Sequence, residues 1–207
     1  MNFETFRQAF FKQICFTSGQ VFAWYPEFDK NNLWRWNKKG YLLKLRQGYY
    51  MFAEHSNLPD IDYYVANCIY KPSYISLHTA LAFFGLIPES VIQIVSITTL
   101  KTSLFKNEIG SFSYKRIKES LFWGYDYLEF SGNRTVMMAI PEKALLDLLY
   151  LYPFYHTEKE ILDLRLNEDI LSESIDYEKL HSFLLLYKSK KLDKQVNILR
   201  KVYNLHL

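Results

Sequence analysis

The sequence predicts an α+β protein in which a small N-terminal unit precedes a mixed α/β domain with a small, mostly antiparallel sheet and a helical C-terminal end. Three observations support this fold class. Apolar residues recur at helical spacing near the N-terminus, short β-rich runs fill the middle of the chain, and helical spacing then returns. We expect domains at 1–54 and 60–207, with 156–207 as the helical region of the second domain.

Phenylalanine spacing and a capping signal predict the first two helices. Phenylalanines recur three to four positions apart in residues 2 to 13, which is typical of an amphipathic helix. Thr17 and Gln20 have the spacing of a capping box, in which each side chain bonds the other residue's backbone. A second helix is therefore expected to begin at Thr17 and to end before Pro26.

Residues 29 to 52 predict a short helix that runs into a β-hairpin. Asp29 is placed to accept hydrogen bonds from the first turn, and Gly40 stands where a helix ends in a left-handed residue. Alternation through Leu45 and an Arg-Gln-Gly turn then indicate two strands. These elements predict a winged helix-turn-helix, with residues 30–39 as its recognition helix and the hairpin as its wing.

Positive charge is concentrated in this N-terminal segment. Residues 29 to 52 hold six basic side chains against one acidic side chain, and the net charge is +4 for 1–58, −1 for 59–155 and 0 for 156–207. Such a surface suits a polyanion, and asparagine amides can read adenine edges in duplex DNA. The candidate DNA-binding residues are Lys30, Asn31, Arg35, Asn37, Lys38, Lys39, Lys44 and Arg46.

A second interpretation gives the same elements a protein partner. Winged helices also serve as protein-interaction modules, and aromatic side chains on helices usually belong to a core. Trp24 and Trp36 are therefore expected to be structural, whereas Trp34 either faces DNA or packs on the second domain. The aromatic contact surface of an interaction module would comprise Trp34, Tyr41, Tyr49 and Tyr50.

Two helices and a set of strands are expected to follow a polar linker over 53–60. Residues 60–70 keep helical spacing up to Pro72, and Ser76 is placed to cap a helix over 77–84. The β-rich runs then predict strands over 91–98, 111–115, 121–130 and 135–139.

Helical spacing dominates the rest of the chain. Pro141 suits the first position of a helix, whose single apolar stripe is expected to cover the sheet. Further helices are expected over 158–166, 177–187 and 192–203. The segment from Lys188 to Lys201 holds six basic residues against one acidic residue, which favours a solvated helix face over a second nucleic-acid contact.

No catalytic centre is evident in the sequence. The five histidines stand 23 or more positions apart, and the seven glycines form neither a P-loop nor a GxGxxG turn. The pairs Asp60/Asp62 and Asp126/Glu129 are expected at the solvated surface, with metal binding as the less favoured alternative. We expect no enzymatic activity, cofactor or metal ion; a nucleic-acid enzyme that uses Asp126 is a third interpretation.

The sequence also favours a cytoplasmic protein without membrane contact. The first sixteen residues lack a basic lead-in and a cleavage site, and the most apolar later run, 75–95, is interrupted by polar residues and a proline. Cys15 and Cys68 lack metal-ligand spacing and are interpreted as reduced core residues.

Three segments resemble the AbiEi-type antitoxins of type IV toxin–antitoxin systems, which act in phage abortive infection. They are FTSGQVFAWYPEFDKNNLWRWNKKGYLLKLRQGYYMF (16–52), YISLHTALAFFGLIP (74–88) and IPEKALLDLLYL (140–151), and the resemblance covers about residues 10 to 155. The Pro-Glu-Lys-Ala-Leu-Leu-Asp-Leu and Ile-Ser-Leu-His patterns are the more specific parts.

The resemblance implies a transcriptional repressor that binds repeats in the double-stranded promoter DNA of its own operon. It also implies a nucleotidyltransferase-like toxin as a functional partner, which is opposed without a stable complex. The DNA contacts of the family carry over to Lys30, Asn31, Arg35, Lys38, Lys44 and Arg46.

Overall fold

The computed structural model describes residues 1–89 and 91–205, which form an α+β protein with two sheets. The helices are α1 (Phe3–Phe10), α2 (Ser18–Trp24), α3 (Asn31–Lys38), α4 (Ile61–Ile69), α5 (Leu77–Phe83), α6 (Pro141–Leu151), α7 (Glu158–Leu162), α8 (Glu168–Ser174), α9 (Tyr177–Tyr187) and α10 (Lys190–Val202). The strands are β1 (Cys15–Thr17), β2 (Leu42–Arg46), β3 (Tyr49–Phe52), β4 (Ser73–Ile75), β5 (Gln93–Thr98), β6 (Ser103–Lys106), β7 (Ser111–Arg116), β8 (Tyr125–Phe130) and β9 (Arg134–Ala139). Short 3₁₀ helices cover Ala53–Asn57 and Glu119–Leu121.

The N-terminal unit, residues 3–52, has a largely aromatic core. Its order is α1, β1, α2, α3, β2, β3, and its sheet has the strand order β1-β3-β2. Phe6 is completely buried, and its ring centroid lies 5.0 Å from that of Phe10 and 4.8 Å from that of Trp36. The buried residues of this core are Phe6, Phe10, Phe16, Val21, Phe28, Leu33, Trp36, Leu42 and Phe52.

Local signals predicted the start of α2 and the end of α3 correctly, whereas α1 ends at Phe10, before the expected residue 13. The Thr17 amide donates to Gln20 Oε1 at 2.7 Å and the Gln20 amide donates to Thr17 Oγ1 at 3.1 Å, which confirms the capping box. Gly40 takes φ +73° after α3, as expected for a left-handed helix end. Strand β1 was not predicted, because it has only three residues, which are too few to show an alternating pattern, and its last residue caps α2.

The hairpin β2–β3 is shared between two hydrophobic cores. Leu42 and Phe52 face the aromatic core, whereas Leu43, Leu45 and Met51 belong to the larger core of the main domain (residues 61–205). This division follows from the alternation of side chains along a strand, which places neighbours on opposite faces of the sheet. The N-terminal unit is therefore packed onto the main domain by its own sheet.

The stretch over 53–60, expected to be a polar linker, is ordered and packed. Its 3₁₀ helix carries a buried histidine, His55, whose Nε2 lies 2.9 Å from the Phe11 carbonyl oxygen after α1. The ring of His55 also lies against the Phe11 ring, with 4.6 Å between centroids. The 3₁₀ helix Ala53–Asn57 is thus packed against the N-terminal unit through His55.

The sheet of the main domain has the strand order β6-β7-β5-β4-β9-β8. The pairs β6–β7, β4–β5 and β8–β9 are antiparallel, while β5–β7 and β4–β9 are parallel, so the sheet is mixed with a majority of antiparallel pairs. All four predicted strands lie in it, although Leu121 ends a 3₁₀ helix and residues 122–124 lie outside β8. Strands β4 and β6 and helix α8 were missed because each is short and lacks a clear periodicity.

Helix α6 is the central helix of the main domain, and its expected single apolar stripe is wrong. Every residue from Glu142 to Leu149 is buried, because α5, α9, α10 and β9 all contact this helix. Pro141 does occupy its first turn, as expected. A helix that is covered on all sides must place any charged residue in the core.

Two such charged residues, Lys143 and Asp147, form a fully buried ion pair one turn apart on α6. The Asp147 carboxylate also accepts hydrogen bonds from the Tyr187 hydroxyl at 2.6 Å and the Tyr74 hydroxyl at 2.9 Å. Lys143 Nζ donates to these two hydroxyls at 2.8 and 3.0 Å, respectively. Burial, and then the Asp147 charge, raise the pKa of both tyrosines, so each remains a protonated donor.

Ser76 bonds the Asp147 carboxylate and does not cap α5 as expected. Ser76 does precede α5, but its side chain makes no hydrogen bond to the helix backbone. Its hydroxyl instead donates to Asp147 Oδ2 at 2.9 Å. Because Asp147 lies 71 positions further along the chain, local spacing alone could not reveal this partner.

Removing one charge of the buried pair is expected to destabilise the fold strongly. Lys143→Met or Asp147→Asn leaves the other group buried without its charged partner, which costs about 3–5 kcal/mol of unfolding free energy. The double variant Lys143→Met/Asp147→Leu should lose less than the sum of the single variants, because no unpaired charge remains. Urea denaturation followed by circular dichroism measures all three.

The exposed ion pair between Lys201 and Glu158 supplies a matched control. Lys201→Met should leave the denaturation midpoint unchanged, since solvent already screens that pair. Single variants at Lys143 and Asp147 that unfold at the wild-type midpoint would show that the buried pair does not hold the main domain together.

Candidate nucleic-acid interface

Helix α3 presents one buried face and one exposed, cationic face. Leu33 and Trp36 fix the helix to the aromatic core. Asp29 Oδ1 accepts the Asn31 amide at 2.9 Å, which satisfies one donor of the first turn. The exposed side chains of the helix and its two ends are Lys30, Asn31, Trp34, Arg35, Lys38 and Lys39.

Arg35 is exposed and only weakly paired. Its guanidinium donates to Asp29 Oδ2 at 3.2 Å and to Asn32 Oδ1 at 3.1 Å. The Arg35 and Asp29 side chains are 54% and 45% exposed, so solvent screens this ion pair. The contact orients the guanidinium along α3 and leaves it able to exchange Asp29 for another acceptor.

Six of the eight predicted site residues are exposed, and the other two are partly buried. Five of the exposed residues lie on or beside α3, and the sixth, Lys44, is exposed on β2. The six residues are Lys30, Asn31, Arg35, Lys38, Lys39 and Lys44. The exposed face of α3 and its two ends therefore carry four basic side chains and one asparagine.

Asn37 is held by the fold. Its Nδ2 donates to the Leu42 carbonyl oxygen at 2.9 Å, which ties the last turn of α3 to the start of β2. This contact gives the half-buried Asn37 a structural role that the sequence interpretation did not predict. Since Leu42 is only five positions away, a turn contact between the helix and the hairpin was the local signal available.

Arg46 is half-buried and packed on the main domain, which corrects its expected position at a free wing tip. Its Nη1 donates to the Ile69 carbonyl oxygen at 2.6 Å, at the end of α4. The guanidinium carbon lies 5.0, 5.3 and 4.9 Å from the ring centroids of Tyr49, Tyr70 and Phe105. Arg46 thus joins the hairpin to the main domain by a hydrogen bond and cation–π contacts.

The hairpin turn itself is packed against α2. The Ser18 amide, at the first position of α2, donates to the Gly48 carbonyl oxygen at 2.9 Å. Asn107 Nδ2, from the main domain, donates to the Leu45 carbonyl oxygen at 2.9 Å. The hairpin is therefore held at its turn and along β2, and it does not project as a separate arm.

Large aromatic side chains lie exposed on the same N-terminal unit. Trp34 on α3 is 63% exposed, and Trp24 at the end of α2 is 49% exposed. The expectation that Trp24 is purely structural is therefore only partly met, since its ring contacts Phe10 on one side. The exposed aromatic residues here are Phe22, Trp24, Tyr25, Trp34 and Tyr41.

The expected surface carboxylate pairs do not assemble a site with other ligands. Asp126 and Glu129 are exposed on the edge strand β8, and Asp62 Oδ1 accepts the adjacent Tyr63 amide at 2.9 Å. Within residues 1–89 and 91–205, no group of three or more histidine, cysteine, aspartate or glutamate side chains is arranged to hold a metal ion. Nor does any helix within these ranges combine the length and apolarity needed to cross a bilayer.

Comparison with known protein families and with curated proteins finds no match for this chain. The resemblance to AbiEi-type antitoxins therefore depends on the three segments quoted above. In the structure, the first segment forms β1 to β3 with α2 and α3, the second forms β4 and α5, and the third forms α6. The lysine and aspartate of the third segment are Lys143 and Asp147, whose partners lie inside the main domain.

Replacing Arg46 is expected to loosen the contact between the hairpin and the main domain. Arg46→Met removes the hydrogen bond to the Ile69 carbonyl and three cation–π contacts, and it leaves a buried acceptor unsatisfied. The free energy of unfolding should fall by about 1–3 kcal/mol. Hydrogen exchange of the β2 and β3 amides should accelerate in the same variant.

The matched control is Lys44→Met on the same strand, whose side chain is exposed and whose replacement should leave stability unchanged. If Arg46→Met keeps wild-type stability but loses affinity for a nucleic acid, the guanidinium faces a ligand and its assignment to the domain contact is wrong.

Proposed function

We propose that this protein is a DNA-binding transcriptional regulator whose N-terminal unit is a winged helix-turn-helix with α3 as the recognition helix. One observation carries the proposal: α3 buries Leu33 and Trp36 while it turns its basic and amide side chains to solvent. The order of α1, β1, α2, α3, β2 and β3, with a sheet ordered β1-β3-β2, supports the same assignment.

In this proposal α3 lies in the major groove of duplex DNA, which is wide enough to admit a helix. Asn31 and Arg35 reach base edges, because asparagine suits adenine and arginine suits guanine. Arg35 exchanges its screened contact with Asp29 for the base. Lys30, Lys38 and Lys39 contact phosphates and set the register of the helix.

The hairpin contributes less than a free wing would. Lys44 is exposed on β2 and is assigned a phosphate contact. Arg46 and Asn37 have no part in the interface, because both are held by contacts within the protein. The proposed contact set is therefore Lys30, Asn31, Arg35, Lys38, Lys39 and Lys44.

We further propose, from the resemblance, that the DNA is the repeat-containing promoter of the protein's own operon and that the protein is the antitoxin of a type IV system. This role requires a neighbouring gene for a nucleotidyltransferase-like toxin. The toxin would be a functional partner and need not bind the antitoxin stably.

A second candidate function is a protein-interaction module. The exposed rings of Trp34 and Tyr41 favour it, because aromatic side chains are enriched at protein contacts. Tyr49 and Tyr50 contribute less than expected, since both are partly buried in the sheet. The absence of duplex binding at low salt would favour this module over the regulator.

The proposed interface predicts a steep dependence of DNA affinity on salt. If about five phosphates are neutralised, a plot of log K against log salt concentration should have a slope near −4 to −5. Fluorescence anisotropy with the duplex upstream of the gene, titrated at several salt concentrations, measures the slope. A slope near zero, or no binding at the lowest salt, would contradict the cationic interface.

Arg35 and Lys44 should have different effects on specificity. Arg35→Ala is expected to cost about 1–3 kcal/mol on the promoter duplex and little on a random duplex, because it removes a base contact. Lys44→Ala should weaken binding to both duplexes alike, because it removes a phosphate contact. Lys179→Ala, which removes an exposed charge from α9, is the control for net charge. Equal losses on both duplexes for Arg35→Ala would reject its base-reading role.

A further inference from the structure

Cys15 and Cys68 meet across the contact between the N-terminal unit and the main domain. Cys15 is the first residue of β1, and Cys68 lies in the last turn of α4, 53 positions further along the chain. The two side chains line one cavity and lie close enough for each thiol to shift the pKa of the other, and both residues are partly exposed. The sequence interpretation treated them as unrelated core residues, because their spacing gives no sign that they meet.

The pair opens to solvent through a shallow cavity of about 160 Å³. Both cysteines line it, together with Gln20 of α2 and Lys71 after α4. A cavity of this size admits molecules as small as water or hydrogen peroxide. An oxidant of that size can therefore reach both sulfur atoms without any opening of the two cores.

The surroundings make the two thiols chemically unequal. Interaction with the neighbouring Cys15 side chain and the charge of Lys71 lower the pKa of Cys68, against the opposing effect of burial. Interaction with Cys68, together with burial, raises the pKa of Cys15. Cys68 is therefore the thiol that ionises first, and Cys15 stays protonated beside it.

We propose that Cys15 and Cys68 form a reversible disulfide bond that links the N-terminal unit to the main domain when the protein meets a peroxide. The two side chains line the same cavity, and in this proposal side-chain rotation brings the sulfur atoms to the S–S bond length of about 2.05 Å. The site is independent of the proposed DNA contacts, since neither cysteine lies on α3.

The chemistry proceeds in two displacement steps. The Cys68 thiolate attacks one oxygen of hydrogen peroxide; the O–O bond breaks, the leaving hydroxide takes a proton to become water, and Cys68 becomes a sulfenic acid. The Cys15 sulfur then attacks the Cys68 sulfur, the S–O bond breaks, and the hydroxide leaves as a second water with the Cys15 proton. Two thiols are oxidised, one peroxide is reduced to two waters, and a dithiol reductant reverses the bond by exchange.

The test uses the full chain, reduced and then treated with hydrogen peroxide. We expect intact mass to fall by two hydrogen atoms, and peptide mapping under non-reducing conditions to recover a Cys15–Cys68 cross-linked peptide. Dithiothreitol should restore the reduced mass. The oxidised monomer should also show a higher thermal midpoint than the reduced protein, because the link restricts the unfolded chain.

Two variants separate the roles of the thiols. Cys15→Ser should stop at the Cys68 sulfenic acid, which dimedone traps, whereas Cys68→Ser should consume peroxide on the order of tenfold more slowly than wild type. Near-ultraviolet circular dichroism checks that each variant keeps the native packing. Peptide mapping of the wild-type protein tests for the disulfide even if a variant fails to fold. Over-oxidation of Cys68 without a cross-link, or disulfides only between two molecules, would overturn the proposal.

Discussion

The buried pair of Lys143 and Asp147 is the constraint around which the main domain is arranged. Taking two charges out of water is costly unless every lone pair and proton finds a partner. Here the partners come from β4, from the residue before α5 and from α9, so these elements must all converge on α6. Gly124 belongs to the same arrangement: it takes φ +75°, and a Cβ there would lie 2.9 Å from the Lys143 side chain.

A second constraint positions the proposed interface. The sheet of the N-terminal unit packs one face on the aromatic core and the other on the main domain, and Arg46 secures the contact at the end of β2. Because these contacts hold the hairpin, most of the exposed residues of the proposed interface lie on or beside α3, and Lys44 lies on β2. The basic residues concentrated in this part of the sequence therefore form an exposed surface that lies mainly on α3 and less on the hairpin.

The sequence predicted features that depend on near neighbours and missed those that depend on distant ones. The Thr17–Gln20 capping box, the left-handed Gly40 and the position of Pro141 were all correct, because each involves residues within one turn. Arg46, Ser76 and the Cys15–Cys68 contact were misjudged, since their partners stand between 23 and 71 positions away. Six of the eight candidate DNA-binding residues are exposed as expected, whereas the two involved in internal contacts could not be distinguished by residue type alone.

The shared hairpin has a consequence for how the protein folds. Leu43, Leu45 and Met51 are covered only when the later part of the chain is in place, so a fragment ending after β3 would carry an apolar sheet face into water. Such a fragment would tend to aggregate, although it holds every residue of the proposed interface. The two cores should accordingly unfold in one cooperative transition. A destabilising substitution in the core of the main domain would then also unfold the N-terminal unit.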